Sequence, residues 1–552
     1  MSSKTILIAG AGPVGLTMAC ELLRHGVSVR IVDRNVSPTD KSKALVVWPR
    51  TLELLEKSGL SQRFIESGIP LRGISVFESK AKRLAHITFS DLESPYPFVL
   101  GIPQSTTEAL LIERLTQQGV QVEREVEVVG LKQLATGVEV ELRHPDGRTE
   151  LTHTNWLPAC DGARSTVRHA LGVTLEGETV AQEFAMVDCD VAGLPFYDEV
   201  VTYITPLGIA AFFPLAEQRM RAFVLRDKCG EDATPCPPTM EELQKEMVAR
   251  GLDHVQLSNP HWLAAFRINE RHAKNYRHGR VLLAGDAAHV HSPVGGQGMN
   301  TGMQDAYNLA WKLALIEQGK IAANPFLDSY SLEREPIGAS VVNKTSKARK
   351  MISLRNPLAM GVRNKILSWA TSFEFVRHKM AEEASELSVK YAHSPLNREV
   401  HPGNAAWLLG HGVHPGDRAP DGHLLKDENE AHLFGLMADT RFQLLVLSGL
   451  APEGPAEAVV ECARWAHQQL HETVAVHWIG FDPHHLPDLP SAWWDEDGNI
   501  HKRYGAVEGT LYLVRPDGYV AFRSQPAARA DLEKYLADMG LKVAKASQAE
   551  GR

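Results

Sequence analysis

The sequence lacks the features that would place it in several other protein classes. Its six cysteines are scattered and form no CxxC pair. We therefore expect a reduced, cytoplasmic protein and not a disulfide framework. No run of about 18 apolar residues occurs, which excludes a predicted membrane span. The net charge is -9, without a basic excess. The net charge therefore predicts no nucleic-acid partner, and the absence of a long apolar run predicts no membrane partner.

The 552 residues are 44% hydrophobic and 23% charged, which is typical of a soluble enzyme of three or four domain equivalents. A buried strand, a helix ending at Gly26 and a second strand open the chain and predict an α/β fold of Rossmann type. Short strands in the middle predict an inserted, mainly antiparallel sheet. The predicted units are a nucleotide-binding domain (1–70, 106–175 and 276–345), an inserted sheet domain (71–105 and 176–275), a helical connection (346–400) and a C-terminal domain (401–552).

Two local predictions concern helices. Residues 44–60 have a helical pattern that ends at Gly59. A basic segment runs from Lys344 to Lys365, and we interpret it as a solvated helical face, with a surface for an anionic partner as the alternative.

The first motif is Gly10-Ala11-Gly12-Pro13-Val14-Gly15, between a predicted strand and a predicted helix. Gly10 permits a tight turn, Gly12 lets the backbone approach a pyrophosphate, and Gly15 lets helix and strand pack closely. Asp33 follows 18 positions after Gly15 at the end of the next strand, where a carboxylate accepts hydrogen bonds from ribose hydroxyls. The pattern predicts a dinucleotide site.

A second motif begins at Gly285-Asp286, after the predicted strand Val281–Ala284, and continues through Pro293, Gly295, Gly296 and Gly298 into a helix. Asp286 can accept hydrogen bonds from ribityl hydroxyls, and the helix N-terminus can stabilise negative charge. His289 and His291 are not interpreted as metal ligands, because no further ligands lie nearby in sequence. Two glycine-rich sites in one chain suggest one long dinucleotide, FAD, held at both ends.

The three motif groups, in order, resemble the fingerprints of the class A flavoprotein monooxygenases, the para-hydroxybenzoate hydroxylase-like family. They are Gly10–Gly15 with Asp33, Asp161-Gly162 with Arg168, and Gly285-Asp286 with Pro293–Asn300. The resemblance covers about residues 4–345. The tail, from Pro415 to Phe522, resembles the thioredoxin-like C-terminal domain of the phenol hydroxylase branch, without a CxxC pair and hence without an expected redox role.

The resemblance implies FAD as cofactor and NADPH or NADH as co-substrate. The cofactor-binding residues that it implies are Gly10, Gly12, Pro13, Val14, Gly15, Asp33, Arg34, Lys43, Gln104, Asp161, Gly285, Asp286, Pro293, Gly298, Met299 and Asn300. Lys43 stands where family members often have Arg, so the positive charge is kept but the paired hydrogen bonds of a guanidinium group are lost.

The resemblance further implies hydroxylation of a phenolic substrate with O2 and NAD(P)H through a flavin C4a-hydroperoxide, by a protein that excludes water and often forms a homodimer. Pro293, Gly295 and Arg221 are the candidate catalytic residues, with Arg221 equally interpretable as an exposed strand residue. Tyr203, Phe212, Phe213 and Pro214 are the candidate substrate residues, with packing in the sheet core as the alternative for the aromatic ones.

Two alternatives to the hydroxylase stay open. A halogenase or a reductase could use the same scaffold, although no Trp-x-Trp pattern of the halogenases is present and Trp493-Trp494 are adjacent. A non-enzymatic, flavin-binding redox sensor is the other alternative.

Overall fold

The computed structural model describes the chain in twelve segments. They are residues 6–40, 42, 44–78, 82–216, 219–227, 235–293, 295–354, 356–401, 412–426, 429–450, 456–483 and 487–541. Lys43 and residues 402–411 of the linker predicted around residues 401–421 lie outside them.

The first third of the chain contains the first two of the three parts predicted for the nucleotide domain, residues 1–70 and 106–175. Its strands and helices are β1 (Ile6–Ala9), α1 (Pro13–Arg24), β2 (Val29–Asp33), β3 (Val46–Val47), α2 (Pro49–Lys57), α3 (Ser61–Glu66), β4 (Ile69–Leu71), β5 (Gly73–Glu78), β6 (Lys82–Thr88), β7 (Val99–Gly101), α4 (Gln104–Gln117), β8 (Glu123–Arg124), β9 (Glu127–Gln133), β10 (Val138–Arg143), β11 (Thr149–Thr154), β12 (Leu157–Ala159) and α5 (Thr166–Ala170).

The middle of the chain consists of long strands followed by long helices. They are β13 (Glu176–Ala192), β14 (Val200–Thr205), β15 (Gly208–Ala216), β16 (Arg219–Asp227), α6 (Met240–Ala249), β17 (Gln256–His272), β18 (Arg277–His278), β19 (Val281–Leu283), a 3₁₀ turn (Gly285–Ala287), β20 (His289–Val290), α7 (Gly298–Glu317), α8 (Asp328–Ile352), α9 (Pro357–Ala370) and α10 (Glu374–Ala384).

The C-terminal part forms a separate sheet with helices on it. Its elements are β21 (Arg398–Val400), β22 (His423–Lys426), β23 (Asn429–His432), α11 (Leu433–Leu436), β24 (Phe442–Leu447), α12 (Glu457–Leu470), β25 (Val474–Gly480), β26 (Ala492–Trp494), α13 (Asn499–Tyr504), β27 (Thr510–Val514), β28 (Val520–Ser524) and α14 (Arg529–Asp538).

The nucleotide domain is built on a sheet of order β18-β19-β12-β1-β2-β8. From β19 to β8 all neighbours are parallel, and only β18 runs antiparallel. The strand order changes direction between β1 and β12. In such sheets the carboxyl ends of the strands meet at one edge, and ligands bind there at the point of reversal. The segments that follow β1, β2, β12 and β19 therefore meet at one place.

The second sheet has the order β20-β17-β13-β16-β15-β14-β5-β6 and is antiparallel except between β14 and β5. One of its faces packs a cluster that includes Tyr203 and Phe212, together with Leu243 and Met247 of α6. The other face packs a cluster with residues of the nucleotide domain and of α9 and α10. The period-2 alternation of strands decides which side chain joins which cluster.

The C-terminal sheet has the order β21-β28-β27-β24-β25-β26-β22-β23. At its centre β24 and β25 are parallel and are connected through α12, while β27 and β28 form an antiparallel hairpin followed by α14. This is the arrangement of a thioredoxin-like core. β21 precedes residue 401, so the sheet begins before the predicted domain boundary.

The helix predicted over residues 44–60 is wrong at its start. Val46 and Val47 form β3, which pairs with β7, and the helix begins only at Pro49. Proline disfavours helical backbone in the residue before it, and Trp48 is extended, with φ -82 and ψ 156.

The basic segment is only partly solvated, since Arg349 and Arg363 are buried. Among the described residues, no helix is both long and apolar enough to span a bilayer.

Candidate active site

A groove of about 990 Å³ runs along the carboxyl edge of the parallel sheet. It reaches from the glycine-rich turn after β1 to the segment before α7, so the two glycine-rich motifs share one cavity. The predicted cofactor residues that line it are Gly10, Gly12, Pro13, Val14, Asp33, Arg34, Gln104, Asp161, Asp286, Pro293, Gly298 and Met299.

The three glycines of the first motif have different roles. A Cβ on Gly10 would lie 2.4 Å from the Cys160 carbonyl oxygen, and one on Gly15 would lie 1.9 Å from the Gly10 carbonyl oxygen. Gly10 also has a φ of +96. A Cβ on Gly12 would meet no atom of the described residues within 4 Å. Gly10 and Gly15 are therefore required by packing, whereas Gly12 leaves open space in the groove where a phosphate can approach the backbone.

Asp33 fixes the turn at this end of the groove. One carboxylate oxygen accepts a hydrogen bond from the Ala11 N–H at 2.7 Å, and the other accepts one from the Asn35 N–H at 2.8 Å. Arg124 lies 3.8 Å from the carboxylate and also lines the groove. Asp33 is thus held in place while its carboxylate stays beside the cavity.

One wall of the groove is built by the N-terminal turn of α4. The Gln104 side chain donates to Glu108 at 2.9 Å and accepts from the Ala44 N–H at 3.3 Å. Glu108 accepts from the Thr39 N–H at 3.2 Å, and burial raises its pKa. Glu108 lines the groove but was not among the predicted site residues, because only its spacing of four from Gln104 on one helix face could have indicated it.

Asp161 offers an unused acceptor at the middle of the groove. One of its oxygens accepts from the Val167 N–H at 3.1 Å, while the other is buried and finds no partner among the described residues. Burial raises the pKa of this carboxyl group. A buried polar atom without a partner is costly, so a ligand donor at this position would stabilise the site.

The far end of the groove depends on close packing around Val14. A Cβ on Gly285 or on Gly302 would lie 2.7 Å from a Val14 methyl group. Asp286 follows Gly285 on the 3₁₀ turn, is exposed and faces the groove. The turn is held from behind by Asp305, whose carboxylate accepts from the Gly285 N–H at 3.0 Å.

His289 belongs to this support. Its Nε2 lies 2.7 Å from Asp305, whose other oxygen accepts from Arg334 at 2.7 Å. Burial opposes ionisation of Asp305, but Arg334 and His289 hold its pKa below the ordinary value. Among the described residues, no group of His, Cys, Asp and Glu has the makings of a metal site.

Asn300 does not present its side chain to the groove. Its amide oxygen accepts from the Trp48 N–H at 2.9 Å, and its amide nitrogen donates to the Val46 and Gly296 carbonyl oxygens at 3.0 and 3.1 Å. It is fully buried. The expected side-chain contact to the cofactor is corrected accordingly, and Asn300 instead ties α7 to the segment around β3.

The segment before α7 offers two acceptors. His291 lines the groove; its Nδ1 lies 2.8 Å from the Ser292 carbonyl oxygen, and its Nε2 is buried without a partner among the described residues. Burial lowers the pKa of His291 to about 4, so the ring is neutral at pH 7. The Pro293 carbonyl oxygen accepts from the Gly296 N–H at 3.0 Å. Gly295, a candidate catalytic residue, does not line the groove.

Aromatic side chains of the second sheet close this end of the groove. Phe213 and Phe223 line it, with ring centroids 5.6 Å apart in an edge-to-face arrangement. Phe223 was not predicted, although it occupies the same face of the sheet as Phe213.

The other candidate substrate residues, Tyr203, Phe212 and Pro214, do not line the groove, and their expected role is corrected. Tyr203 and Phe212 lie on the opposite face of the sheet, where Tyr203 stacks on Phe77 at 5.4 Å and packs edge-on against Phe212 at 6.2 Å. Pro214 is buried and does not line the groove.

Arg221 is fully engaged with the protein. Its guanidinium makes a two-pronged contact with Asp188 at 2.5 and 2.7 Å and also donates to the Ser42 carbonyl oxygen. It lies over the Trp262 ring at 4.8 Å, is fully buried and does not line the groove. The catalytic role considered for Arg221 is therefore corrected to a positioning role, in which it ties the second sheet to the segment that carries Ser42.

A second cavity, of about 470 Å³, adjoins the groove and shares Ala163 and Arg164 with it. Its lining includes Arg168, His169 and Arg271, and none of the described residues that line it is Asp or Glu. Arg168 donates to the Ala163 and Ala287 carbonyl oxygens, and burial lowers its pKa. The charge of this cavity suits an anionic ligand.

Buried charges connect the nucleotide domain with the C-terminal hairpin. Glu333 accepts from Lys312 at 2.7 Å and from both terminal nitrogens of Arg515 at 2.7 and 2.9 Å, and Arg515 also pairs with Asp517. The side chains of Glu333, Lys312 and Arg515 are fully buried. Breaking one member would leave charge uncompensated in the core.

A buried carboxyl group supports α7 directly behind the groove. Glu386 accepts from the Thr301 hydroxyl at 2.9 Å and from the Gln304 amide at its other oxygen. Burial raises its pKa to about 7.

Comparison with known families agrees with this geometry. The family described as "FAD binding domain" matches residues 3–345, and the family "Aromatic-ring hydroxylase, C-terminal" matches residues 413–539. The chain belongs to the FAD-dependent aromatic-ring hydroxylases. The fold class predicted from the sequence is confirmed, and so are FAD as cofactor and the assignment to the flavoprotein aromatic monooxygenases.

Similar proteins span nearly the whole chain. A 6-methylpretetramide 4-monooxygenase of Streptomyces rimosus is 36% identical over 96% of this chain and 92% of its own length. A pentachlorophenol 4-monooxygenase of Sphingobium chlorophenolicum is 31% identical over 95% and 94%. The solved structure of the anhydrotetracycline hydroxylase OxyS from S. rimosus has a TM-score of 0.75, with 30% identity over 98% of this chain and 99% of that one.

Proposed function

We propose that this hydroxylase inserts one oxygen atom of O2 into a phenolic ring, with NAD(P)H as reductant and FAD lying along the groove. The observation that carries the proposal is the continuity of the groove from Gly12 to the pair Phe213 and Phe223. Bound FAD would supply hydride acceptance and O2 activation. The protein's part is to bind, to orient and to exclude water.

The residues that line the groove divide this work. The open backbone at Gly12 and the dipole of α1 suit the pyrophosphate, and Asp286 suits the ribityl hydroxyls. The N-terminus of α7, at Gly298 and Met299, would stabilise negative charge on the ring system of bound FAD.

The aromatic end of the groove suits a flat substrate. Phe213 and Phe223 pack against an aromatic ring and keep water out. His291 is neutral, and its Nε2 has no hydrogen-bond partner among the described residues. It is our candidate for accepting the hydrogen bond of a phenolic hydroxyl, which would make the substrate ring more electron-rich. The similar proteins named above act on one-ring and on fused-ring compounds, and both sizes belong in the test.

The basic second cavity is our proposed site for the phosphates of NAD(P)H. Arg164, Arg168 and Arg271 supply positive charge beside the groove, and no carboxylate of its described lining opposes it. Charge-assisted contacts of this kind bind phosphate strongly.

The experiment is a panel of one-ring and fused-ring phenols, scored by NAD(P)H oxidation together with product mass. A substrate should gain one oxygen atom, and Phe223→Ala should oxidise NAD(P)H with a larger share of peroxide released. Halide-dependent products would favour a halogenase. Absence of any substrate-stimulated O2 uptake across the panel would favour a redox sensor.

A further inference from the structure

An apolar surface lies on α9 and the segments next to it. We call it the α9 surface. It consists of exposed large apolar side chains: Met351 (55% exposed), Leu354 (37%), Leu358 (83%), Val362 (57%), Ile366 (58%), Trp369 (67%), Phe373 (48%) and Phe375 (75%). The spacing from Leu358 through Val362 and Ile366 to Trp369 places four of them on one helix face. Exposed apolar side chains in such a group, unlike single ones, indicate an interaction site.

The opposite face of α9 is fastened to the protein by polar contacts. Asn364 donates to Glu78 at 2.7 Å, and Arg363 donates to the Met351 and Ile352 carbonyl oxygens at 3.2 Å. Thr371 donates to the Leu84 carbonyl oxygen at 3.3 Å. The buried residues of α9 are thus the polar Arg363 and Asn364, beside the partly buried Leu367, while a second, apolar face of the helix points outward.

The stretch of chain that carries the α9 surface is basic. Residues 345–373 contain six Lys and Arg residues and no Asp or Glu, in a chain of net charge -9. The exposed ones on the described segments are Lys347, Lys350 and Lys365. Acidic groups of neighbouring elements contact the stretch: Glu270 pairs with the buried Arg349 at 2.9 Å, Glu178 lies 3.7 Å from Lys350, and Glu78 accepts from Asn364 on the inner face of α9. Glu374 lies between the two phenylalanines.

We propose that the α9 surface binds the face of an anionic phospholipid membrane. Exposed Trp and Phe side chains enter the boundary between headgroups and acyl chains, and lysines beside them attract anionic headgroups. A second copy of the chain fits less well, because two basic segments would face each other across a symmetric contact. The proposal concerns peripheral binding and revises the expectation, drawn from the absence of a long apolar run, that no membrane partner exists.

The test is cosedimentation of the full-length, FAD-loaded protein with vesicles of phosphatidylcholine alone or mixed with phosphatidylglycerol. Binding to the mixed vesicles should exceed binding to the neutral ones and should weaken in high salt, where charges are screened. Lys347→Gln and Lys365→Gln should each lower the partition coefficient about fivefold. Trp369→Ser should lower it about tenfold in both salt conditions.

Matched controls are exposed residues far from this surface. Leu151→Ser and Lys132→Gln remove an exposed apolar and an exposed basic side chain of the nucleotide domain and should leave vesicle binding unchanged. An unchanged flavin spectrum and melting temperature would show that each variant is folded.

Three outcomes would overturn the proposal. One is a wild-type protein that stays in the supernatant with anionic vesicles at low salt. Another is equal binding by Trp369→Ser and the controls. The third is a dimer, seen by sedimentation equilibrium, that Trp369→Ser dissociates while no vesicle binding occurs. None of these readouts depends on hydroxylase activity.

Discussion

Replacing Gly12 by alanine should weaken FAD binding without weakening the fold. The backbone there has φ -79 and ψ -175, which any residue adopts, and the new Cβ lies more than 4 Å from every atom of the described part of the chain. Replacing glycine at a helix N-cap lowers the free energy of unfolding by about 1 kcal/mol or less. The reduced conformational freedom of the unfolded chain raises it by a similar amount. The same Cβ enters the space of the pyrophosphate. Loss of one charge-assisted backbone hydrogen bond, about 1.5–3 kcal/mol, raises the Kd for FAD roughly 10- to 150-fold.

Gly10→Ala is the matched comparison. Its Cβ would lie 2.4 Å from the Cys160 carbonyl oxygen at a φ of +96, so the flavin-free protein should lose about 2 kcal/mol or more of unfolding free energy. Flavin fluorescence titration gives the Kd, and denaturant unfolding of the apoprotein gives stability. Unchanged FAD affinity in Gly12→Ala, or equal destabilisation by both variants, would refute the reasoning.

Three further predictions concern residues that do not line the groove. The pKa of Glu386 is raised to about 7, so above about pH 4.5 the native state binds more protons than the unfolded state. The free energy of unfolding should therefore fall as pH rises from about 4.5 to about 7. Glu386→Gln should remove this loss of up to about 3 kcal/mol, as measured by unfolding experiments at pH 5 and pH 8. Glu333→Gln should lower the free energy of unfolding by about 3–5 kcal/mol, because it leaves the buried Arg515 and Lys312 without enough negative charge. The control Glu533→Gln, in an exposed ion pair, should lower it by under about 1 kcal/mol. Equal losses in the two variants would contradict the account. Tyr203→Phe should leave the KM for substrate unchanged, and a several-fold rise would return Tyr203 to the substrate site.

The position of the groove could be predicted from local patterns. Glycine-rich turns after buried strands have a direct steric meaning, and parallel strands bring their carboxyl ends to one edge. The sequence alone therefore indicates that Gly10, Gly12, Asp33 and Asp286 belong to a ligand site.

The side chains that face the substrate end could not be assigned in the same way. Tyr203 and Phe212 differ from Phe213 only in which face of the strand they occupy, and a shift of one residue reverses that choice. The partner of Arg221 is Asp188 on a neighbouring strand, and Arg515 reaches Glu333 across 182 positions of the chain. Pairs of this kind are set by tertiary packing, which leaves no periodic signal in the sequence.

The central claim is that one groove holds FAD and presents an aromatic substrate at its Phe213–Phe223 end. The most direct measurement is turnover under ¹⁸O2 with NAD(P)H and a phenol found in the panel, in wild type and in Gly12→Ala and Phe223→Ala. We predict one labelled oxygen atom in the product, full coupling restored to Gly12→Ala by excess FAD, and peroxide release by Phe223→Ala that excess FAD does not correct. Product without label, or Phe223→Ala coupled as tightly as wild type, would contradict the account.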